Sequence, residues 1–170
     1  MARGGWARNA YSDDRGRTWK TGPVIADGGD ESKAVELSDG TVVQNMRSRG
    51  NRLVAWSSDG GATFGAAAAE GALVDPGCNA GLARYRRGGR DVLSFTNAAS
   101  KKRENLSIRW RGDGGRRWSR AKTIHAGPAA YSTVIPLRDG SVGVLDERGE
   151  RLSTERITFA RLRAEWVFGE

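Results

Sequence analysis

The sequence is short of the residues on which much enzyme chemistry depends. One cysteine, Cys78, excludes an intrachain disulfide, and one histidine, His125, leaves too few ligands for a Cys/His zinc site. The same scarcity argues against a serine–histidine triad and against imidazole acid–base work. No apolar run approaches the roughly 20 residues of a membrane-spanning helix, so no membrane span is expected. Met1-Ala2-Arg3-Gly4-Gly5-Trp6 lacks the apolar stretch of a secretory signal. The chain as written is therefore expected to be soluble and unprocessed, and nothing in it fixes a location. No metal site and no cofactor are expected. Only 38% of residues are hydrophobic while 24 are glycine, which argues against a helical bundle.

What is abundant is arginine. The chain carries 23 arginines and five lysines against 20 acidic residues, a net charge of +8. Arginine offers a planar fork that binds carboxylate or phosphate bidentately, whereas lysine is a point charge. Charge alone admits a nucleic-acid partner, but none of the recognised DNA- or RNA-binding motifs is present, so none is expected. At 170 residues the chain is long enough for one domain, 1–170, with a real core.

An octet of the form Ser-x-Asp-x-Gly-x-x-aromatic occurs at Ser12–Trp19 and Ser57–Phe64, and again at Arg111–Trp118 with Arg111 in the serine position. The aspartates recur at roughly 45 to 54 residues, a period that suits one propeller blade of four short strands. In each octet the Asp can accept from backbone N–H groups, the Gly can take a positive φ, and the aromatic can plug the gap beneath the turn. A second repeat, Leu37-Ser38-Asp39-Gly40-Thr41 and Leu137-Arg138-Asp139-Gly140-Ser141, has a counterpart midway at Arg87-Gly88-Gly89. Each is expected to be a three-residue hairpin loop with glycine in the left-handed position. Counting back along that register places Glu31 opposite Arg47 and Tyr131 opposite Glu147. A two-residue loop would shift the pairing by one and turn these partners to opposite faces.

The expected fold is all-β, with a partial blade up to about residue 25 and fuller ones near 31–72, 78–125 and 131–167, and with no convincing helix. Lys101-Lys102-Arg103 and Ala66–Ala69 are expected in loops. Asn105-Leu106-Ser107 matches a glycosylation acceptor but falls in an expected strand. Cys78 is expected to be a small buried residue.

The octets resemble the Asp boxes of sialidases, and the segments between them resemble the C-terminal half of bacterial exo-sialidases. Asp30-Glu31-Ser32, Asn45-Met46-Arg47-Ser48, Arg103-Glu104-Asn105, Tyr131-Ser132 and Glu147 carry the resemblance by their spacing, as do Glu155–Ala160 and Glu165-Trp166 near the end. The resemblance implies a six-bladed β-propeller, of which this chain holds three to four blades, and a retaining exo-α-sialidase acting on sialylated glycoconjugates. It also implies that Tyr131 is the nucleophile, Glu31 its activating partner, Arg47 and Arg103 two of three arginines that clamp the substrate carboxylate, and Glu147 the support of the third. That third arginine and the family's acid/base Asp are expected in blades upstream of the first octet. The expectation is therefore of an impaired fragment, open to a missing N-terminal half or to self-association. The alternative is a non-catalytic module that binds sialoglycans. Asp146 departs from the pattern, standing where an aromatic is usual.

The chemistry of these residue types is coherent. Sialidases with a Tyr nucleophile are exceptions to two-carboxylate glycoside hydrolysis. A carboxylate beside the anomeric carbon would repel a carboxylate nucleophile but not a neutral phenol. The phenol in turn needs a base to take its proton at neutral pH.

Overall fold

A computed structural model describes residues 5–112 and 117–169. Its strands pair antiparallel with neighbours in the chain. β1 (Trp6–Tyr11) and β2 (Lys20–Asp27) form a two-stranded sheet; β3 (Ser32–Glu36), β4 (Val42–Met46), β5 (Gly50–Ser57) and β6 (Ala68–Asp75) form a four-stranded one. β7 (Gly81–Arg87), β8 (Arg90–Ala98), β9 (Glu104–Gly112), β10 (Lys122–Pro136), β11 (Val142–Arg148) and β12 (Arg156–Leu162) follow in one continuous six-stranded array. The expected break between two blades near residue 128 is not a loop. β10 runs through it, pairing first with β9 (Lys122↔Ile108 to Pro128↔Glu104) and then with β11 (Ala129↔Arg148 to Pro136↔Val142). Register shifts at 123–128 and at 129–132 let the strand bend from one neighbour to the other, as bulges do.

Alternation along the strands supplies apolar faces that stack the sheets on one another. Ala7, Ile25 and Ala26 pack on Met46 and Ala55; Val43 and Leu73 pack on Leu82, Leu93 and Phe95; Tyr85, Val92 and Ile108 pack on Val134, Val142 and Val144. Burying each of the Val, Leu, Ile, Phe and Met side chains among them contributes on the order of 1.5–3 kcal/mol.

The first two octets fold identically. Ser12 Oγ accepts from Gly16 N at 2.7 Å and donates to Asp14, which accepts from Thr18 N and Thr18 Oγ1 at 2.8 and 2.7 Å. Ser57, Gly61, Asp59 and Thr63 repeat the pattern at 2.9, 2.9 and 2.6 Å. These donors hold both aspartate carboxyls down to about 2. The centre of the third octet, residues 113–116, lies outside the described residues. Phe64 and Trp118 pack against the core as expected, but Trp19 is 67% exposed. Among the described residues its turn closes a sheet of two strands, a narrower floor than the four strands behind Phe64.

The outer hairpins have the expected three-residue loops, with Leu37 N bonded to Thr41 O (2.8 Å) and Leu137 N to Ser141 O (2.9 Å), and Gly40 and Gly140 at φ 84° and 83°. The middle one differs. Arg87 pairs directly with Arg90 around a two-residue turn, because Gly88 and Gly89 both take positive φ and the tighter turn matches strand twist. Ala68 and Ala69 begin β6 rather than lying in a loop, and Glu165-Trp166 lie in a five-residue helix, α1 (Ala164–Phe168), where no helix is expected from the sequence. Its Phe168 meets the Tyr85 ring edge-on at 5.6 Å.

Candidate active site

The two described octets and the hairpin turns sit at one end of the sheets, and Glu31, Arg47, Arg103, Tyr131 and Glu147 converge at the other. The first pair is placed by local register. Leu37 and Thr41 fix the β3–β4 hairpin, and six residues back Arg47 N donates to Glu31 O at 2.9 Å. Glu31 and Arg47 therefore share an edge and a face. Arg47 Nη1 donates to Glu31 Oε2 at 2.5 Å and to the Tyr131 hydroxyl at 3.1 Å, and Nε lies 3.9 Å from Asp30 Oδ2. The Glu31 bond pushes the guanidinium pKa up, so Arg47 is a permanent cation.

Tyr131 sits where β10 changes partners. Ala129 N donates to Arg103 O at 2.9 Å on one side of it, and Ser132 N to Asn79 O at 3.2 Å on the other. Tyr131 N reaches the side chain of Glu147, Oε2 at 3.4 Å. Glu147 thus stands level with Tyr131, although the backbone register shifts there. Two guanidiniums approach the phenol ring, Arg47 at 5.8 Å and Arg103 at 5.6 Å from its centroid. Arg103 is exposed and Arg47 half-buried. Beside the ring opens a cavity of about 240 Å³ whose wall includes Lys33, Asn79, Tyr131, Leu145, Glu147 and Ile157.

The five side chains named from the sequence thus lie together, with one difference in connection. Glu31 meets the phenol through Arg47, whose Nη1 bonds both groups. Two guanidiniums near one phenol concentrate positive charge there, and Glu31 and Glu147 offset part of it. Among the described residues no three His, Cys, Asp or Glu side chains group as metal ligands.

Sequence reasoning gave no role to several residues here. Asp30 reaches Arg47, and Asn79 both pins Ser132 and lines the cavity. Asp146, the departure from the family pattern, is buried and accepts a two-pronged bond from Arg148 Nε and Nη2 at 2.6 and 2.7 Å. Alternation alone would have turned Asp146 inward. Cys78 is fully buried, and burial raises its thiol to about 11.

A family model described as a BNR repeat-like domain matches residues 4–144. The sialidase of Micromonospora viridifaciens is 39% identical over 173 residues, covering 96% of this chain and 26% of that protein. Among solved structures, the Hadza microbial sialidase Hz136 has a TM-score of 0.80 at 26% identity, covering 93% of this chain and 32% of that one. The NanB sialidase of Streptococcus pneumoniae has a TM-score of 0.84 at 21% identity, covering 97% and 28%, a likeness of fold. The chain spans about a quarter to a third of the length of these relatives.

Proposed function

The chain belongs to the BNR-repeat family of sialidases, and from that premise we propose that it carries the tyrosine half of a retaining exo-α-sialidase site acting on sialylated glycoconjugates. Its stacked sheets are blades of a six-bladed propeller. The observation that supports this most is the approach of both Arg47 and Arg103 to the Tyr131 ring, with Glu31 bonded to the same Arg47 nitrogen that bonds the phenol.

In this reading the substrate carboxylate takes the two guanidinium forks. Arg47 then turns from Glu31 toward the substrate, and Glu31 is left to accept the phenol proton. The phenolate oxygen bonds to the anomeric carbon as the bond to the leaving oxygen breaks, that oxygen taking a proton from water. A water then attacks the anomeric carbon, the bond to Tyr131 breaks, Glu31 returns the proton to the phenol, and the sugar leaves with retained configuration. Glu147 orients a third cation. None of the five residues is a general acid for the leaving group, a role that contributes typically 10²–10⁴-fold. The 170 residues alone therefore turn over natural sialosides weakly and activated aryl sialosides better.

Calorimetric titration with free sialic acid tests this carboxylate clamp. Arg103→Lys keeps the charge and loses the fork, so affinity should fall by about tenfold, or about 1.4 kcal/mol. The methyl ester of the sugar should bind weakly to both forms. Equal affinity for wild type and Arg103→Lys would exclude Arg103 from the clamp.

A further inference from the structure

Behind the site lies a buried polar cluster that the reaction does not use. Arg52, on β5, is fully buried and is the bulkiest such side chain. Its Nε donates to Asn45 Oδ1 at 2.8 Å and its Nη1 to Cys78 O at 2.6 Å, with Asp75 Oδ2 at 3.6 Å and the Phe95 ring at 5.9 Å; Nη2 has no protein partner. Burial lowers its pKa only to about 10, so it stays charged at neutral pH. Asp75, also fully buried, accepts from Gly77 N and Cys78 N at 2.8 and 2.7 Å and from Asn97 Nδ2 at 3.0 Å.

These bonds share one object, the turn 76–79 between β6 and β7. Asp75 ties its amides and Arg52 its carbonyl at Cys78, so the turn is gripped from both polarities. From the grip, two paths lead to the site. A Cβ on Gly77 would lie 3.9 Å from Arg47 Nε, which puts the turn against one guanidinium. At its far end Asn79 O receives Ser132 N, the residue after Tyr131, and Ser132 Oγ donates on to Thr96 at 3.0 Å.

A buried ion pair is a poor way to gain stability, since an apolar replacement of similar volume is often neutral or better. It is a good way to fix a backbone, because an unmade bond in this interior is costly. We propose that Arg52, with Asp75, is a positioning residue: it holds the 76–79 turn as the floor that sets the separation of Arg47 from Tyr131. This rests on the sialidase reading only for the ligand, not for the geometry.

The test uses the full chain labelled with ¹³Cζ-tyrosine, whose three tyrosines, Tyr11, Tyr85 and Tyr131, give three signals. Arg52→Met should move the Tyr131 signal and leave the Tyr11 and Tyr85 signals in place. It should also weaken free sialic acid on the order of tenfold, as ångström-scale misplacement does. Tyr85→Phe, which loses a partly buried bond to Ile135 O at 2.6 Å at the hairpin end of β10, should destabilise without either change. If Arg52→Met leaves Asp75 unpaired and the chain unfolds, the same readings are taken on Arg52→Met/Asp75→Asn and on Arg52→Lys. A folded variant with an unmoved Tyr131 signal overturns the positioning role. A moved Tyr131 signal in Arg52→Met, with no sialic acid bound by the wild-type chain either, keeps the positioning role and removes the sialidase reading of the site instead.

Discussion

Gly81→Ala isolates the contact between β7 and β10 on which the site depends. Gly81 opens β7, opposite Thr96, and a Cβ there would lie 2.4 Å from Thr96 Oγ1, 2.7 Å from Val134 N and 2.9 Å from Thr133 C. Two of those three atoms are backbone of β10 and cannot swing aside as a side-chain tip can. Relief requires that β10 move away from β7, and the moved segment begins one residue after Ser132. Overpacking of a tight interior costs about 1–3 kcal/mol, and the backbone contacts place this change in the upper part, about 2–3 kcal/mol. For a chain of this length each kcal/mol shifts Tm by about 2–4 °C, so a fall of about 4–12 °C is expected. The control is Gly71→Ala in β6, where the same atom meets nothing within 4 Å and the backbone is not left-handed; its effect should stay within about 0.5 kcal/mol. Thermal melting and urea unfolding of the three proteins at neutral pH give the comparison. A Gly81→Ala melting point within a degree of wild type, or a loss equal to that of Gly71→Ala, would refute the close approach and with it the account of how Tyr131 is held.

Three further outcomes are expected. A fluorinated sialosyl donor that traps glycosyl–enzyme intermediates should label a peptide containing Tyr131 and leave Tyr131→Phe unlabelled; sialic acid binding without any labelling would point to a sialoglycan-binding module instead, and labelling elsewhere would make Tyr131 a wall of the site. Asp14 and Asp59 are held at about 2 in the folded chain against an ordinary 3.8, so their contribution to stability is present above about pH 4 and is lost as pH falls through about 2; denaturation midpoints of Asp14→Asn/Asp59→Asn should change less between pH 4 and 2 than those of wild type, and parallel curves would contradict the assignment. Cys78 is fully buried with its thiol raised to about 11, so an aromatic disulfide reagent should titrate it only after denaturant is added, and rapid reaction in the native state would show that the 76–79 turn opens.

What was legible in the sequence was whatever short-range chemistry decides. Ser-x-Asp-x-Gly-x-x spells a turn whose donors and acceptors all lie within seven residues, so the two described octets close with the same bonds. Loops built on Asp39-Gly40 and Asp139-Gly140 fix a register, and the period of two carries that register back to Glu31 and Arg47 without any other information. The same reasoning failed at Arg87-Gly88-Gly89-Arg90, where two adjacent glycines permit a tighter turn than one glycine does. It failed at Trp19, since whether an aromatic finds a floor depends on how many strands the sheet beneath it has.

The sequence by itself determined an all-β chain of repeated hairpins, the turns that end them, and which carboxylate faces which arginine within one hairpin. Only the tertiary structure decided that β10 pairs first with β9 and then with β11, that Arg103 comes from the β8–β9 turn to within 5.6 Å of the Tyr131 ring centroid, and that Arg111, out of pattern in its octet, lies over Trp56 and Trp118 at 5.0 and 5.1 Å. It alone showed Arg52 buried, because a charged residue in a half-exposed strand is ordinarily solvated and nothing local reveals that Asp75, 23 positions on, arrives to meet it. The physical reason is range. Turn bonds and strand alternation are fixed by residues a few positions apart, whereas the approach of two guanidiniums to one phenol is set where sheets pack, by contacts whose partners lie tens of residues away.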